Sequence, residues 1–428
     1  MSEDQVDLIV VGAGPAGSTA ALVAARAGLD TLLIERGNFA GAKNMTGGRL
    51  YAHSLEKLLP GFAEEAPVER VVTRERISML NETDAVTVEY AAPRSQDAAS
   101  RSYTVLRTSF DQWLCGKAEE AGAQLVPGVR VDELLVRDGK VCGVRAGDET
   151  LEARAVILAD GVNSLLGTQL GMVRSVNPHT CAVGVKEVLE FTPQQMADRF
   201  ACTGNEGTAW LFAGMPSDGY MGGGFLYTNA SSVSLGVVFG LHNMDKVGKS
   251  VPQMLEDFRS HPAVAPLLEG GKLVEYSAHV VPEGGYAMVP DLVRDGVLLA
   301  GDAAGLCLNV GYTVRGMDLA IASGEAAAQA VIAAKQHDDF SAAGLGGYRQ
   351  ALEDSFVLKD LKLYRNLPHT LDNNRIFSAY PDMAAGIMAD MFNVNGPSAP
   401  LRNKLWGRAK NVGLLNLLKD GVNVMRSL

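Results

Sequence analysis

Hydrophobic positions along the chain follow two rhythms. In the first, short apolar runs stand unbroken between helical stretches. "VDLIVVGAG" at 6–14 and "DTLLIE" at 30–35 are such runs, as expected of strands in a parallel sheet covered on both faces. Residues 15–27 predict an alanine-rich helix stopped by Gly28, which completes a βαβ unit. The stretch 108–126 predicts an amphipathic helix, with Thr108 and Asp111 in capping-box-like spacing at its start and Gly122 at its end. Strands are predicted at 129–136, 140–146 and 149–154, between Asp-Gly and Gly-Asp turns. The second rhythm has a period near two and runs from about 180 to 290. There "CAVGVKEVLEF", "TAWLFAG", "GYMGGGFLYT" and "SVSLGVVFGLH" read as antiparallel strands, interrupted by a helix near 251–259. A buried strand returns at 297, and beyond about 345 the pattern is mostly helical. This order predicts an α/β chain in which a β-rich unit interrupts a parallel one. The expected boundaries are 1–178, 179–290, 291–345 and 346–428.

Two glycine-rich strand-to-helix turns stand out because they lie almost the whole parallel unit apart. "GAGPAG", Gly12 to Gly17, follows a strand and opens a helix. Gly12 permits the tight turn, Gly14 lets backbone approach a pyrophosphate, and Gly17 allows close helix packing. The helix N-terminus then favours the phosphate charge. Glu35 ends the second strand, where a carboxylate can accept hydrogen bonds from a ribose. The later turn is "VLLAGDAAGLCLNVGYTVRGMDLAI", 297–321. Asp302 at its strand end can accept hydrogen bonds from ribityl hydroxyls, while Gly305 and Gly311 let backbone pass close by. A helix predicted from near Thr313 would aim its N-terminus at a flavin edge that gains negative charge on reduction. One extended dinucleotide, FAD, explains why both turns are present. A third strand-end turn, "ILADGVNS" with Asp160, Gly161 and Ser164, is an ordinary turn signal by itself. Arg107 reads either as a guanidinium facing phosphate or as a surface charge.

Composition removes classes rather than adding them. The 428 residues are 47% hydrophobic and 20% charged, with a net charge of −11, which fits a globular chain and argues against a nucleic-acid partner. The start "MSEDQVDLIVVGAG" lacks the basic region of a signal peptide, so a cytoplasmic protein is expected. Cys115, Cys142, Cys181, Cys202 and Cys307 are widely spaced, which predicts neither a disulfide framework nor a metal site. Tyr276, His279 and Tyr286 could stand near an acceptor or be satisfied in the core. The last stretch, 406–428, mixes Arg408, Lys410, Lys419 and Arg426 with leucines and valines. It predicts a helix that either docks on the core or lies in a membrane interface.

The motif series GxGPAG…E, ADGxxS, GDAAG resembles the glutathione-reductase-type FAD fold in its hydroxylase and geranylgeranyl-reductase branch. Arg107 matches the arginine of that branch's "R-x-x-F-D-x-W-L" segment. Longer stretches at 35–62, 261–285, 300–328 and 371–396 resemble the FixC-type flavoproteins, relatives of electron-transfer-flavoprotein:quinone oxidoreductase, and the likeness covers essentially the whole chain. The resemblance implies an α/β FAD-binding Rossmann fold with an inserted antiparallel sheet and a helical C-terminal region. It implies FAD contacts at Gly12, Gly14, Pro15, Ala16 and Gly17, and at Glu35 and Arg36. Further contacts are implied at Gly47 and Gly48, at Arg107 and Val131, and at Asp160 and Gly161. The set closes with Gly301, Asp302, Gly311, Thr313 and Val314. The implied role is electron transfer: FAD accepts electrons from a two-subunit electron-transfer flavoprotein and passes them to a ferredoxin-like protein or a quinone. The quinone oxidoreductases carry a four-cysteine iron–sulfur module, which has no counterpart after Cys307, so a separate ferredoxin-like subunit is the expected partner. No catalytic acid or base is implied.

Two rival readings remain at this level. Class A monooxygenases share the fold, but their arginine after the motif serine and their His and Pro after the Gly-Asp turn are missing here. Lipid reduction in the manner of geranylgeranyl reductases shares all the motifs.

Overall fold

The computed structural model describes residues 5–43, 48–174 and 177–428. A parallel sheet forms the first layer. Its central strands are β1 (Gln5–Val11), β2 (Thr31–Glu35), β3 (Gln124–Pro127), β4 (Glu149–Leu158) and β5 (Val297–Leu299), in spatial order β3-β2-β1-β4-β5. The unbroken apolar runs have the reason expected of them: Leu8, Ile9, Val10, Leu33, Val156, Ile157 and Leu298 are fully buried. Each such side chain contributes about 1.5–3 kcal/mol. The chain leaves β1 for β2 on one side, while β4 pairs with β1 on the other. The crevice beyond their carboxyl ends is therefore a topological switch point.

Two helices pack together over this sheet, α1 (Pro15–Arg26) and α3 (Met317–His337). Small residues let their backbones meet. A Cβ on Gly324 would lie 2.2 Å from the Ala16 carbonyl oxygen, and one on Gly301 would lie 2.9 Å from Ala16 Cβ. Helix α3 is long and apolar enough to cross a membrane, but it is mostly buried inside the protein. Between them in sequence, α2 (Arg107–Glu120) packs against α1.

The second sheet is wider than expected. Its strands are not confined to 179–290: Gly48–Tyr51, Val68–Leu80, Ala85–Ala91 and Ser102–Val105 belong to it as well. The join is a parallel pairing of Glu206–Gly214 with Val68–Leu80, within an otherwise antiparallel arrangement. One face is apolar, with Leu235, Val237 and Phe239 buried against Phe200 and Phe258 of the covering helices. The other face looks towards the carboxyl end of the parallel sheet.

Other boundaries also shift. The strand predicted at 129–136 occupies Glu133–Arg137, and that predicted at 149–154 continues to Leu158. The helix predicted to begin near Thr313 begins at Met317, because a short hairpin of Leu308–Asn309 with Val314–Arg315 precedes it. Thr108 and Asp111 do not cap α2. Its N-cap residue is Leu106, with no side-chain bond, and Asp111 is drawn instead to Arg107.

The C-terminal region ends in α4 (Ala379–Phe392), α5 (Leu401–Val412) and α6 (Leu414–Ser427). Helix α6 docks by polar groups. Asp420 takes two hydrogen bonds of 2.7 Å from Arg375, and Ser427 bonds Thr370 at 2.7 Å. Its apolar stripe of Leu415, Leu418, Val422 and Met425 is exposed.

Candidate functional site

The three strand-end turns converge on one cavity of about 480 Å³ between the carboxyl edge of the parallel sheet and the second sheet. Gly12 has a left-handed φ of 101°, and a Cβ there would lie 2.4 Å from the Ala159 carbonyl oxygen. The first turn is thus wedged against the end of β4. Gly17 has the packing role expected of it, since its Cβ would lie 1.8 Å from the Gly12 carbonyl oxygen. Gly14 differs. Nothing stands nearer to its Cβ position than Arg107 Nη2 at 3.8 Å, so its backbone faces the cavity. Helix α1 begins there with no side-chain cap, leaving its first amides to serve an anion. Glu35 accepts from the amides of Ala13 at 2.9 Å and Gly37 at 2.7 Å. Those bonds fix its carboxylate at the rim of the turn.

Arg107 is placed by charge. Its Nε and Nη2 donate to the fully buried Asp111 at 2.7 and 2.8 Å, which fixes Nη2 beside Gly14. The same guanidinium works against burial at Asp302, whose carboxyl is held above its ordinary range. Asp302 takes no side-chain hydrogen bond among the described residues. Asp160 Oδ1 is buried without a partner, and burial pushes that carboxyl up to about 6. Carboxylate oxygens left without a partner in a cavity are costly. A polyhydroxyl chain would satisfy them, as a pyrophosphate would satisfy Arg107 and the α1 amides. The residues present therefore fit FAD.

The opposite wall comes from the second sheet and is largely apolar, with Ile77, Leu211, Ala213, Phe225 and Val238 facing the cavity. Gly222, Gly223 and Gly224 strip the sheet of side chains where it comes nearest. At Gly223 (φ 141°) a Cβ would lie 2.4 Å from the Phe212 carbonyl oxygen. His279, Val281 and Glu283 line the cavity along the edge strand Lys272–Pro282 and the residue after it. Below the start of α3, Arg315 bonds Asp318 and Asp360, and His53 Nε2 lies 3.0 Å from Asp318 Oδ2.

Of the expected contacts, Gly12, Gly14, Pro15, Ala16, Glu35, Arg36, Gly48, Arg107, Val131, Asp160, Gly161, Gly301, Asp302, Gly311 and Val314 all line this cavity. Thr313 does not: it sits at the hairpin tip, where the Val310 amide bonds its carbonyl. Gly17 acts behind the wall rather than in it. Gly47 lies outside the described residues. His279 lines the cavity, whereas Tyr276 is exposed and Tyr286 packs beside Lys362. Residues absent from the expected set include the three glycines, Glu283 and Asn309. "GYMGGGFLYT" reads as a strand, and its run of glycines was the available signal.

The fold and its paired turns define an FAD-dependent oxidoreductase. A family model for FAD dependent oxidoreductases matches residues 7–166. The ubiquinone-binding model of ETF-QO matches 181–281, and the ETF-QO/FixC family C-terminal domain matches 367–428. The chain is 62% identical to the probable electron transfer flavoprotein-quinone oxidoreductase YdiS of Escherichia coli K12, over 99% of both chains. It is 58% identical to protein FixC of Salmonella typhimurium, again over 99% of each. The protein belongs to the ETF-QO/FixC family. Among solved structures, the geranylgeranyl bacteriochlorophyll reductase-like protein from Thermoplasma acidophilum shares its fold, with a TM-score of 0.73 at 21% identity over 97% of this chain and 99% of that one. The flavin-dependent brominase Bmp2 shares it at 0.63 and 17%, over 95% and 100%.

Proposed function

We propose that this FAD oxidoreductase accepts electrons from a two-subunit electron-transfer flavoprotein and passes them to a ferredoxin-like protein, a quinone, or both. The observation that carries the reading is the two-walled cavity. One wall is built from polar turns suited to a dinucleotide, and the other is an apolar sheet face in the segment 181–281 that matches a ubiquinone-binding model. When bound, FAD supplies the redox chemistry, exchanging electrons singly or in pairs. The chain's own residues bind and orient. Arg107 and the α1 amides hold the diphosphate, Glu35 and Asp302 hold the hydroxyls of its two ends, and Gly222–Gly224 leave room for a planar ring. The apolar wall excludes water. The five cysteines are widely spaced along the chain and form no ferredoxin-like run, so iron–sulfur chemistry is assigned to a separate partner.

The test is anaerobic. Reduced electron-transfer flavoprotein should bleach the bound flavin, and NADPH should not. Bleaching by NADPH alone would turn the reading towards a monooxygenase-like or reductase-like enzyme.

The reading extends to the membrane. The outward stripe of α6 shares its helix with Lys419 and Arg426, and Phe392 and Trp406 of α4 and α5 are exposed as well. That combination suits an interfacial helix over anionic lipid. Replacing Leu415 and Leu418 with Asp should lower sedimentation with anionic vesicles on the order of tenfold while FAD stays bound. Unchanged partitioning would remove this extension.

A further inference from the structure

One group in the cavity is not used by anything above. Glu283 follows the edge strand Lys272–Pro282 and faces the cavity on the same side as His279 and Val281. Its Oε2 accepts from Asn309 Nδ2 at 3.1 Å, and Oε1 takes no hydrogen bond among the described residues. No Lys, Arg or His pairs with it among those residues. Asn309 belongs to the hairpin that follows the Gly301–Asp302 turn, and its own side-chain oxygen is tied to the Gly311 amide at 2.9 Å. The glutamate is thus bound to the loop expected to pass beside the flavin. A carboxyl half-buried in a largely apolar wall, held by one neutral amide and no cation, favours its protonated form.

We propose that Glu283 is the proton-exchanging acid of this cavity, giving up its proton as electrons reach the flavin and regaining one from water. With FAD bound and two electrons supplied by dithionite or a reduced flavoprotein, the Glu283 O–H bond would break and its proton would pass to the reduced coenzyme. The carboxylate left behind is reprotonated from bulk solvent. The inference rests on the FAD assignment and not on which protein donates the electrons.

Burial pushes the Glu283 carboxyl up to about 7, with the Asn309 hydrogen bond working the other way. The neighbouring titratable groups that feel its charge are the thiols of Cys181 and Cys307, both raised chiefly by burial. They stay neutral across this range. Elsewhere on the wall, His279 lies below its ordinary value through burial, Asp160 is at about 6, and Asp302 is raised by burial against the pull of Arg107. The signal of Glu283 is therefore the one that disappears in a Glu283 variant while those of Asp160 and Asp302 remain. Below about pH 7 it carries a proton to give, and above it does not.

The test uses the purified holoprotein and Glu283→Gln, which keeps an oxygen to accept from Asn309. Oxidised flavin has no titration of its own near neutrality, so its absorbance reports charge changes around it. Wild type should show a spectral shift with a midpoint near pH 7, absent from E283Q. In stopped-flow reduction by dithionite, the wild-type rate should fall between pH 6 and 8. E283Q should be pH-independent there and slower at pH 6 by about tenfold or more, the scale of a lost proton donor. An unchanged spectral midpoint, or the wild-type pH profile in E283Q, would overturn the proposal. Should E283Q hold no FAD, Asn309→Ala decides. Removing the bond that favours the charged form should move the midpoint to higher pH, and an unmoved midpoint would overturn the proposal equally.

Discussion

The two walls of the cavity are made by opposite means. The carboxyl edge of the parallel sheet is built from backbone and charge: the turn at Gly12 is locked against the Ala159 carbonyl, and Arg107 is held by Asp111. The second sheet contributes apolar side chains and, at Gly222–Gly224, the lack of them. At Gly12 and Gly17 the first wall tolerates no added atom, because what stands in the way is main chain. In the second wall main chain also stands in the way at Gly222 and Gly223, while at Gly224 the neighbour is the Phe258 ring on the helix-covered face. A polar face suited to a coenzyme and a largely apolar face thus belong to different layers of one fold.

The sharpest break in this comparison is at Asp111. Asp111→Ala leaves the Arg107 guanidinium without its partner, and loss of one member of a buried pair costs about 3–5 kcal/mol. Chemical denaturation should show that loss together with a fall in FAD content. Next comes a matched pair of substitutions. Gly12→Ala sets a Cβ at positive φ against a carbonyl oxygen, and should cost about 3 kcal/mol and strip the coenzyme. Gly224→Ala meets the Phe258 ring at 2.8 Å and Pro216 Cβ at 3.2 Å. It should cost only about 1 kcal/mol and leave FAD bound. Equal effects would erase the distinction between the walls.

A smaller effect concerns pH. The folded-state value of Asp160 lies above the ordinary carboxylate range, at about 6. Its contribution to stability is therefore complete in acid and is lost as pH rises through about 6. In the coenzyme-free protein, Asp160→Asn should be the more stable form above that pH by about 2–3 kcal/mol, with no advantage at pH 4. Thermal melts at the two pH values check the sign.

The same contrast governs what the sequence disclosed. The polar wall was legible because its turns are local: Gly12, Gly14, Glu35 and Asp302 lie in short segments whose spacing alone states their geometry. Asp111 was misread for a similarly local reason. Its spacing from Thr108 matches a capping box, while Arg107, one helical turn before it, offers a full charge that a backbone amide cannot match. The second wall was less legible. Its strands between 48 and 105 join through a parallel pairing with 206–214, a contact across more than a hundred residues that no local pattern announces. In α6 the periodicity predicted a stripe but not its direction. The Asp420–Arg375 pair turned the polar face inward.

The central claim is that one coenzyme spans both turns, with its adenosine end at Gly12 and its ribityl chain at Asp302. Binding of FAD and of ADP to the apoprotein, measured in wild type and Asp302→Ala, tests it directly. Loss of hydrogen bonds worth about 1–3 kcal/mol should weaken FAD by about tenfold, while ADP, which ends before the second turn, should bind both proteins alike. If FAD binds the variant as tightly as wild type, or ADP is weakened to the same degree, the coenzyme does not bridge the two turns.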